Sequence, residues 1–468
     1  MSAGRILPTA AGCAALLGAS LLLPLRSPAA PPGPPGGERP NFVILLADDL
    51  GYADLGVMGG TDIPTPNLDA LAKGGVRFTD GYVTCPVCAP SRAGLLTGRY
   101  PQRFGFETNP GLDAIHRPDT GLPATEETLA SRLRRHGYAT GLLGKWHLGS
   151  HDHLDPLSHG FVYFYGFRGG MRNYFPNAAL RAGADPYFGA QSYLYDQLER
   201  NRKPVTEPDY LTDALAEEAV GFIERYRAQP YLLVVSFNAV HNPLQAPARY
   251  LARFPASESE RRRHYAAMVS ALDDAVGAIL CKLESVGQAR NTLVVFLSDN
   301  GGGGNGTAAH SANTGRNQPL RGFKFDLYEG GIRVPLLMRW PQRLPEGRVY
   351  SQPVTALDLF PTICAAAGVG LPEDRIIDGV DLLPFLSAVQ NGAPHRRLYW
   401  RWTFRGGEAA MRRDDWKLVM LGKHPPQLYD LRHDVGEQHD LAPEYPRLVA
   451  TLLEEWKAWS SQMAAPRW

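Results

Sequence analysis

Two pairs of oxygen-bearing side chains stand at the ends of apolar runs that are typical of buried strands. Asp48 and Asp49 follow the run NFVILLA, and Asp299 and Asn300 follow the run TLVVFLS. Carboxylate and amide oxygens form a hard ligand set, which suits Ca²⁺ or Mg²⁺ better than zinc. Each pair alone is an ordinary loop or turn sequence. Together, on different strands, they predict a metal site.

Basic side chains occupy comparable positions. Lys145 and His147 end the predicted strand YATGLLGKWHLG, and their i, i+2 spacing predicts that both point to one side of that strand. His241 ends the strand PYLLVVSFNAVH, and Lys324 lies in LRGFKFDLYEGGIRVP. A lone histidine is more often structural, but cations gathered beside a metal ion form a pocket for an oxyanion. We therefore expect an anionic group to be bound at these strand ends.

The stretch CPVCAPSRAGLLTG, residues 85–98, joins a C-x-x-C spacing to a run that is suited to a helix. Cys85 and Cys88 could form a disulfide, a redox pair or half of a zinc site. Nothing around them is typical of a thioredoxin-like unit, and no second Cys/His pair lies at ligand spacing. On a helix, Arg92 would lie one turn after Cys88, and the helix N-terminus would favour an anion.

Strand-like and helix-like segments alternate from residue 41 to about 395. The helix PATEETLASRLRRHG is expected to begin at a Thr125 cap and to stop at Gly137. Repeated βα units of this kind predict an α/β fold with a large, mostly parallel mixed sheet sandwiched by helices. In such sheets sites collect at the carboxyl ends of strands, where the polar clusters above are found.

Beyond residue 395 the pattern changes to short strands, such as RLYWRW and PPQLYDL, followed by the amphipathic segment YPRLVATLLEEWKAWSSQM. We expect a catalytic α/β domain over residues 41–395. A small C-terminal α+β subdomain over residues 396–468 would consist of an antiparallel sheet and a helix.

The N-terminal segment is typical of an export signal. Residues 1–30 carry a positive start, an apolar run and the small-residue stretch SPAA, and residues 31–40 form a Pro/Gly linker. Pro24 and Arg26 cut the apolar run short of the ~20 residues that a membrane span needs. We expect an exported periplasmic or secreted protein with no stable membrane span.

Charge is nearly balanced, with 48 Lys+Arg against 47 Asp+Glu and a formal net charge of +1. This balance gives no general attraction for nucleic acid or for an anionic membrane surface. No nucleic-acid partner is expected, and an anionic substrate must be attracted by local charge.

The run CAPSRAGLLTGR, residues 88–99, closely resembles the signature of the type I, formylglycine-dependent sulfatases of the alkaline phosphatase superfamily. LLADDLGYADLG, GKWHLG, SDNG and KFDLYEGGIRVP resemble further blocks of that family, in the same order. The resemblance covers about residues 41–385. In the family, the Cys-x-Pro-Ser-Arg motif directs oxidation of its cysteine to formylglycine, which implies that Cys88 is the modified residue and that its thiol stays free until then.

The resemblance also implies the chemistry. A hydrated aldehyde (a gem-diol) has two hydroxyls on one carbon: one attacks sulfur and expels the alcohol, and deprotonation of the other eliminates sulfate and restores the aldehyde. The site residues implied are Asp48, Asp49, Asp299, Asn300 and the modified Cys88 for one Ca²⁺ rather than Mg²⁺, Arg92 for the formylglycine, Lys145 and Lys324 for sulfate oxygens, His147 for the elimination step, and His241 for contact with the substrate and protonation of the leaving oxygen.

We therefore expect a sulfatase that acts on a sulfated carbohydrate or an aryl sulfate and that depends on a formylglycine-generating enzyme for maturation. The general pattern is similar to the arylsulfatase A and N-acetylgalactosamine-6-sulfatase branches of the family, which favours a sulfated glycan. Two alternatives stay open. Phosphonate monoester hydrolases and phosphodiesterases of the superfamily share the fold, and a calcium-dependent carbohydrate-binding protein would need no reaction at all.

Overall fold

The structure is a computed structural model that describes residues 39–110, 117–176, 197–206, 208–255, 259–304, 313–403 and 406–468. The predicted signal segment and nearly all of the predicted linker lie outside these residues. Within the described ranges, no helix combines the length and the apolar character that a membrane span requires.

Among the described residues, ten strands form a mixed sheet at the centre of the molecule, in the order β11-β2-β10-β9-β1-β8-β4-β5-β6-β7. The strands of the chain are β1 (Asn41–Ala47), β2 (Val76–Phe78), β3 (Gly81–Tyr82), β4 (Ala139–Lys145), β5 (Tyr163–Phe167), β6 (Glu199–Arg200), β7 (Lys203–Pro204), β8 (Tyr231–Ser236), β9 (Thr292–Ser298), β10 (Leu336–Arg339), β11 (Arg348–Tyr350), β12 (Val354–Thr355), β13 (Arg397–Trp402), β14 (Glu408–Arg413), β15 (Trp416–Leu421) and β16 (Gln427–Asp430).

The middle of the sheet is parallel. β1 pairs with β8 on one side and with β9 on the other, and β8 pairs with β4, so four neighbouring strands end at the same edge. β10 runs antiparallel between β9 and β2, which makes the sheet mixed. The strands read as continuous apolar runs because both faces of the sheet are covered.

Helices cover the sheet on both faces. The helices are α1 (Pro66–Lys73), α2 (Cys88–Thr97), α3 (Leu129–Arg135), α4 (Leu211–Tyr226), α5 (Ala248–Leu251), α6 (Glu260–Ser285), α7 (Glu329–Ile332), α8 (Leu359–Ala367), α9 (Leu383–Leu386) and α10 (Pro446–Ser460). Alternate residues of β1 divide between the layers: Val43 and Leu45 pack with α1, α4 and α6, whereas Phe42 and Ile44 pack with α2, α3 and α8.

The C-terminal part is a four-stranded antiparallel sheet, in the order β13-β14-β15-β16, with α10 against it. Met411, Leu418 and Leu428 of this sheet pack with Leu452 of α10. The predicted fold class is confirmed in both parts. The predicted boundary between residues 395 and 396 stays a prediction, although β13 begins nearby.

One helix start was predicted wrongly. α3 begins after Thr128, whose side chain accepts a hydrogen bond from the Ser131 backbone N–H while the Ser131 hydroxyl accepts one from the Thr128 N–H. This reciprocal pair satisfies two free donors of the first turn. Thr125, one residue after the Pro-Ala pair, is not the cap, because the segment before Thr128 turns instead of winding into the helix.

Candidate active site

The carboxyl ends of β9, β1, β8 and β4 lie side by side and bring the predicted site residues together. Asp299 and Asn300 follow β9, Asp48 and Asp49 follow β1, His241 follows β8, and Lys145 ends β4. α2 contributes Cys88 and Arg92, the segment before α7 contributes Lys324, and His147 follows Lys145 after one residue. Apart from His147, which is half-buried, all of these side chains are buried, so their charges act through a medium of low polarity.

Two lysines neutralise the two adjacent carboxylates. The Lys145 ammonium donates to Asp48 Oδ2 at 2.6 Å, and the Lys324 ammonium lies 2.8 Å from Asp49 Oδ2. Burial by itself would raise the pKa of the Asp48 carboxyl, but Lys145 and neighbouring cations outweigh it and hold the pKa below its ordinary value. The pKa of Asp49 is lowered in the same way, against burial, chiefly by Lys324.

The carboxylate and amide oxygens of the site fit a hard divalent cation. One ligand atom from each of Asp48, Asp49, Cys88 and His241 lies within 4.8 Å of the others. Asn300 donates from Nδ2 to Asp49 Oδ1 at 2.7 Å, which leaves its amide oxygen buried and without a hydrogen-bond partner among the described residues. A buried acceptor with no donor is costly, and a bound cation would satisfy it. The oxygen ligands suit Ca²⁺, whereas the sulfur of Cys88 does not.

Arg92 is held from three sides. Its guanidinium donates from Nε to Asp299 Oδ2 at 2.9 Å and from Nη1 to the Lys145 backbone oxygen at 3.3 Å and to the Ser236 hydroxyl. The predicted spacing is observed, since Arg92 lies one turn after Cys88 on α2. Ser236 was not predicted; its only sequence signal is a hydroxyl at the end of an otherwise apolar strand.

Cys88 is the first residue of α2 and points into the cluster. Its sulfur lies 3.5 Å from Asp48 Oδ1 and 3.4 Å from Lys324 Nζ. Burial raises the pKa of the thiol to about 12, although Lys145 and Lys324 oppose the rise. The group is therefore a protonated, inert thiol near neutral pH, unlike the low-pKa cysteine of a redox pair.

Cys85 is also a free, buried thiol, and its sulfur lies 3.8 Å from the Glu107 backbone oxygen. Burial raises its pKa well above the ordinary value. The two cysteines do not form a disulfide, and the ligands grouped around Cys88 in the described chain are carboxylates and an imidazole, not a second cysteine pair. The disulfide and zinc interpretations of C-x-x-C are therefore not supported.

Both histidines are held neutral. Burial lowers the pKa of His147 well below its ordinary value, and the positive charges of Lys145 and Arg92 add to the effect. Burial and Lys324 lower the pKa of His241, partly offset by Asp49. His241 Nδ1 lies 2.7 Å from the Asn242 backbone oxygen, an acceptor that places the ring proton on Nδ1 and leaves the lone pair on Nε2, 3.5 Å from Asp49.

His147 reaches the site differently from the prediction. β4 ends at Lys145, and His147 has φ = +58°, a left-handed conformation that is uncommon outside glycine. The alternation of a regular strand therefore does not relate Lys145 to His147, and the expectation that they share one strand face was wrong. Three further residues near the site were not predicted as site residues: Gly170, Tyr174 and Asn313, which donates to the Asp49 backbone oxygen at 2.8 Å.

Comparison with known proteins decides the family. The sulfatase family model matches residues 40–369 of the chain. This chain belongs to the sulfatase family. The model of the N-sulphoglucosamine sulphohydrolase C-terminal region matches residues 323–462 of the same sulfatase. The enzyme is thus a sulfuric ester hydrolase of the alkaline phosphatase superfamily, as predicted.

Curated relatives cover most of this sulfatase. Mouse steryl-sulfatase is 34% identical over 89% of the chain and 81% of its own length. Mouse N-acetylgalactosamine-6-sulfatase is 37% identical over 74% of the chain and 66% of its own length. These two relatives carry names from different substrate classes, a steroid and an amino sugar.

Solved structures agree on the fold. Ps i-CgsB, in complex with k-i-k-neocarrahexaose, is 38% identical with a TM-score of 0.84, covering 92% of this sulfatase and 95% of that chain. The phosphonate monoester hydrolase of Agrobacterium radiobacter is 24% identical with a TM-score of 0.66, covering 91% of this chain and 96% of that chain. At that identity the second likeness shows the fold alone.

Proposed function

We propose that this sulfatase removes sulfate from a sulfated saccharide and that Cys88, after conversion to formylglycine, carries the nucleophile. The supporting observation is the position of Cys88 at the start of α2, between a carboxylate of the metal cluster and the ammonium of Lys324. As a protonated thiol it is unreactive there. A hydrated aldehyde at the same position would supply one hydroxyl to attack sulfur and a second to release sulfate.

The metal ligands proposed are the carboxylates of Asp48, Asp49 and Asp299, the amide oxygen of Asn300 and the modified side chain of Cys88. Ca²⁺ would acidify the attacking hydroxyl and attract an anion. The unpartnered Asn300 oxygen supports this assignment. Replacement of the Cys88 sulfur by oxygen would make the ligand set uniformly hard.

The charges of the chain itself are balanced in this cluster. Three carboxylates face three cations, namely Asp48, Asp49, Asp299, Arg92, Lys145 and Lys324. A divalent cation would therefore give the site a net positive charge, which suits a sulfate ester. We propose that Lys145 and Lys324 donate to sulfate oxygens, since both ammonium groups already lie at the site and need only exchange a carboxylate oxygen for a sulfate oxygen.

His241 is proposed as the residue that contacts the substrate and protonates the leaving oxygen. Because the free ring is neutral with its proton on Nδ1, it would first have to gain a proton on Nε2, the nitrogen that faces Asp49, and the negative charge of a bound sulfate ester would favour that gain. His147 is proposed to accept the proton of the second hydroxyl. Its neutral state suits a base, because burial and nearby cations lower its pKa.

Maturation requires a partner and precedes function. We propose that a formylglycine-generating enzyme oxidises Cys88 and that the N-terminal segment directs export. The assignment of the saccharide rests on the oligosaccharide complex of the 38% identical neighbour and on the N-acetylgalactosamine-6-sulfatase relative.

The deciding experiment combines mass and turnover. Protein made with a formylglycine-generating enzyme would be digested to give FTDGYVTCPVCAPSR, residues 78–92, whose mass and fragments should place one aldehyde at Cys88. The same preparation should hydrolyse an aryl sulfate faster than the matched aryl phosphodiester. A converted enzyme that prefers the phosphodiester would overturn the sulfatase assignment of this site.

The substrate class needs its own comparison. Defined sulfated oligosaccharides and a steryl sulfate would be offered to the converted enzyme, and sulfate release measured for each. We expect kcat/KM for a sulfated saccharide to exceed that for the steryl sulfate by about tenfold or more, a difference of ~1.4 kcal/mol. Preference for the steryl sulfate would contradict the saccharide proposal while leaving the chemistry intact.

A further inference from the structure

One partly buried segment, residues 168–174, contacts the surroundings of both histidines. At its start, the Arg168 backbone oxygen accepts a hydrogen bond from the His147 N–H at 2.9 Å. Two residues later, Gly170 lies against the His147 ring: a Cβ atom added at Gly170 would lie 2.6 Å from Nε2 of the imidazole. The φ of Gly170 is not in the left-handed region, so its backbone conformation does not require glycine. Glycine is required because any side chain would clash with the His147 ring.

The end of the same segment fixes the loop that carries His241. The Tyr174 hydroxyl donates to the backbone oxygen of His241 at 2.8 Å and shares its proton with the backbone oxygen of Asn238. Tyr174 is buried, and burial raises the pKa of its phenol well above the ordinary value, so the hydroxyl remains a donor. It therefore ties together both ends of the turn between β8 and His241.

Tyr174 is itself anchored on three sides. Its backbone N–H donates to the Gln245 side-chain oxygen at 2.9 Å, its backbone oxygen accepts from the Leu211 N–H at 2.8 Å, and its ring stacks on Tyr210 at 5.8 Å between centroids. These contacts join the segment to the start of α4. The hydroxyl is thus held at a fixed place relative to the sheet. Its hydrogen bond to the His241 backbone oxygen can therefore fix the position of His241.

We propose that residues 168–174 form a positioning segment that orients both histidines, with Gly170 setting the ring of His147 and Tyr174 setting the backbone of His241. The proposal rests on the proposed function, because it assigns the two residues to the proton transfers given there. It goes further by making Gly170 and Tyr174 positioning residues of the reaction, although Tyr174 also packs in the hydrophobic core.

The test for Tyr174 uses the leaving group. If His241 protonates the leaving oxygen, displacing it harms esters of weakly acidic alcohols more than esters of acidic phenols. Tyr174→Phe should lower kcat about fivefold to tenfold for a sulfated saccharide and less than twofold for 4-nitrophenyl sulfate, with KM nearly unchanged. Tyr231→Phe is the matched control, since Tyr231 is a buried tyrosine of β8, the strand that precedes His241, and its hydroxyl donates to the Gln288 side chain away from the site.

A measurement that needs no turnover accompanies the kinetics. Amide hydrogen exchange over residues 237–245 should be faster in Tyr174→Phe than in the parent protein, and unchanged in Tyr231→Phe. Equal losses with both substrates, or exchange at the parent rate, would overturn the role of Tyr174. A parent enzyme that carries the aldehyde but hydrolyses no sulfate ester would instead contradict the proposed function, and the exchange data would still decide the contact.

Gly170 is tested by adding one methyl group. Gly170→Ala should lower kcat about 10-fold to 100-fold with both substrates, because His147 serves a step that follows loss of the alcohol and small misplacements are costly. Gly221→Ala, at a helical glycine with open space around it, is the control and should retain parent activity. Parent-level kcat in Gly170→Ala would overturn the role of this glycine.

Discussion

Cys88 and Cys85 are three residues apart, yet only one is surrounded by groups that could act on a substrate. Cys88 has Asp48 and Lys324 beside its sulfur, whereas Cys85 meets a backbone oxygen. Both thiols are buried and free. The difference between them lies in their neighbours and not in their own reactivity.

Removal of the two sulfurs should therefore have unequal effects. Cys88→Ala should lower turnover of an aryl sulfate about 10³-fold or more, because the nucleophile is lost. Cys85→Ala should retain activity within a few-fold, at some cost in stability from the small cavity. Both variants would be compared by kcat and by melting temperature, and equal activity of the two would contradict the assignment of Cys88.

Asn300 offers a test of the metal site that is independent of turnover. A ligand that binds only the folded state stabilises it by about 2.7 kcal/mol at a concentration 100 times its Kd. Ca²⁺ should therefore raise the melting temperature of the parent protein, and EDTA should reverse the rise. In Asn300→Ala the Ca²⁺ concentration needed for the same rise should increase about tenfold or more.

The control for this prediction is Asn109→Ala. Asn109 is another amide near Cys88, but its oxygen already accepts the Ala89 backbone N–H at 2.9 Å. That variant should keep the parent response to Ca²⁺. A melting temperature that ignores Ca²⁺ in the parent protein would contradict the metal site.

At the scale of the element, α2 is buried along its whole length. All ten of its residues, Cys88 to Thr97, are buried, and it packs against α3 and α8. A modifying enzyme cannot reach the first turn of such a helix without unfolding its surroundings. Conversion of Cys88 should therefore precede folding of this layer.

Thiol labelling checks this expectation. In native, unconverted protein a water-soluble thiol reagent should modify Cys281, which is exposed on α6, and leave Cys88 unmodified. Cys88 should react only after denaturation, and a formylglycine-generating enzyme should likewise convert the denatured chain or a peptide but not the native protein. Rapid labelling of native Cys88 would show that α2 opens readily.

Sequence predicted the elements well because their signals are local. The apolar runs NFVILLA and TLVVFLS match β1 and β9, whereas β8 ends at Ser236, before the predicted strand end at His241. The residues that follow parallel strands could be placed at one edge by topology alone. Site residues on strand ends and on the Cys-x-Pro-Ser-Arg motif were therefore accessible before the structure.

The residues that support the site were not accessible in this way. Tyr174 meets His241 across 67 residues of chain, and Gly170 is an ordinary glycine until the His147 ring is placed beside it. The left-handed φ of His147 has no sequence signal either, since histidine rarely adopts it. These features depend on how separate loops meet, which local patterns do not encode.

At the scale of the whole molecule, a second buried charge cluster joins the C-terminal sheet to the catalytic layer. Lys417 of β15 lies 2.8 Å from Glu329 of α7 and 2.9 Å from Glu437, and Glu437 also accepts the Glu329 backbone N–H at 2.7 Å. α7 begins five residues after Lys324, so the C-terminal sheet helps to hold the segment that carries this lysine.

This cluster predicts a particular pH dependence of stability. Burial and the nearby Glu329 carboxylate raise the pKa of Glu437 to about 7, despite Lys417. A carboxyl with a raised folded-state pKa favours folding below its unfolded value of ~4.5 and loses that contribution as pH rises through 7. Glu437→Gln should therefore flatten the fall in unfolding free energy between about pH 4.5 and 7.

Urea unfolding at several pH values measures this slope. Glu444→Gln, at an exposed residue nearby, is the control and should leave the slope unchanged. Glu329 belongs to a different window, because Lys417 outweighs burial and lowers its pKa to about 2, so its contribution is lost as pH falls from about 4.5 through 2. A slope unchanged in Glu437→Gln would show that the carboxyl titrates normally.

Because three cations balance three carboxylates around Cys88, folding of the site does not depend on conversion of this residue. A site whose charges already balance can reach its native structure with an unconverted thiol. Its electrostatics therefore do not destabilise a chain in which Cys88 was not oxidised. If Cys88 is converted as proposed, its oxidation must occur in each new chain before α2 is buried. The specific activity of a preparation would accordingly report the fraction of chains that were oxidised before α2 was buried. Slower folding would yield more active enzyme from the same amount of soluble protein.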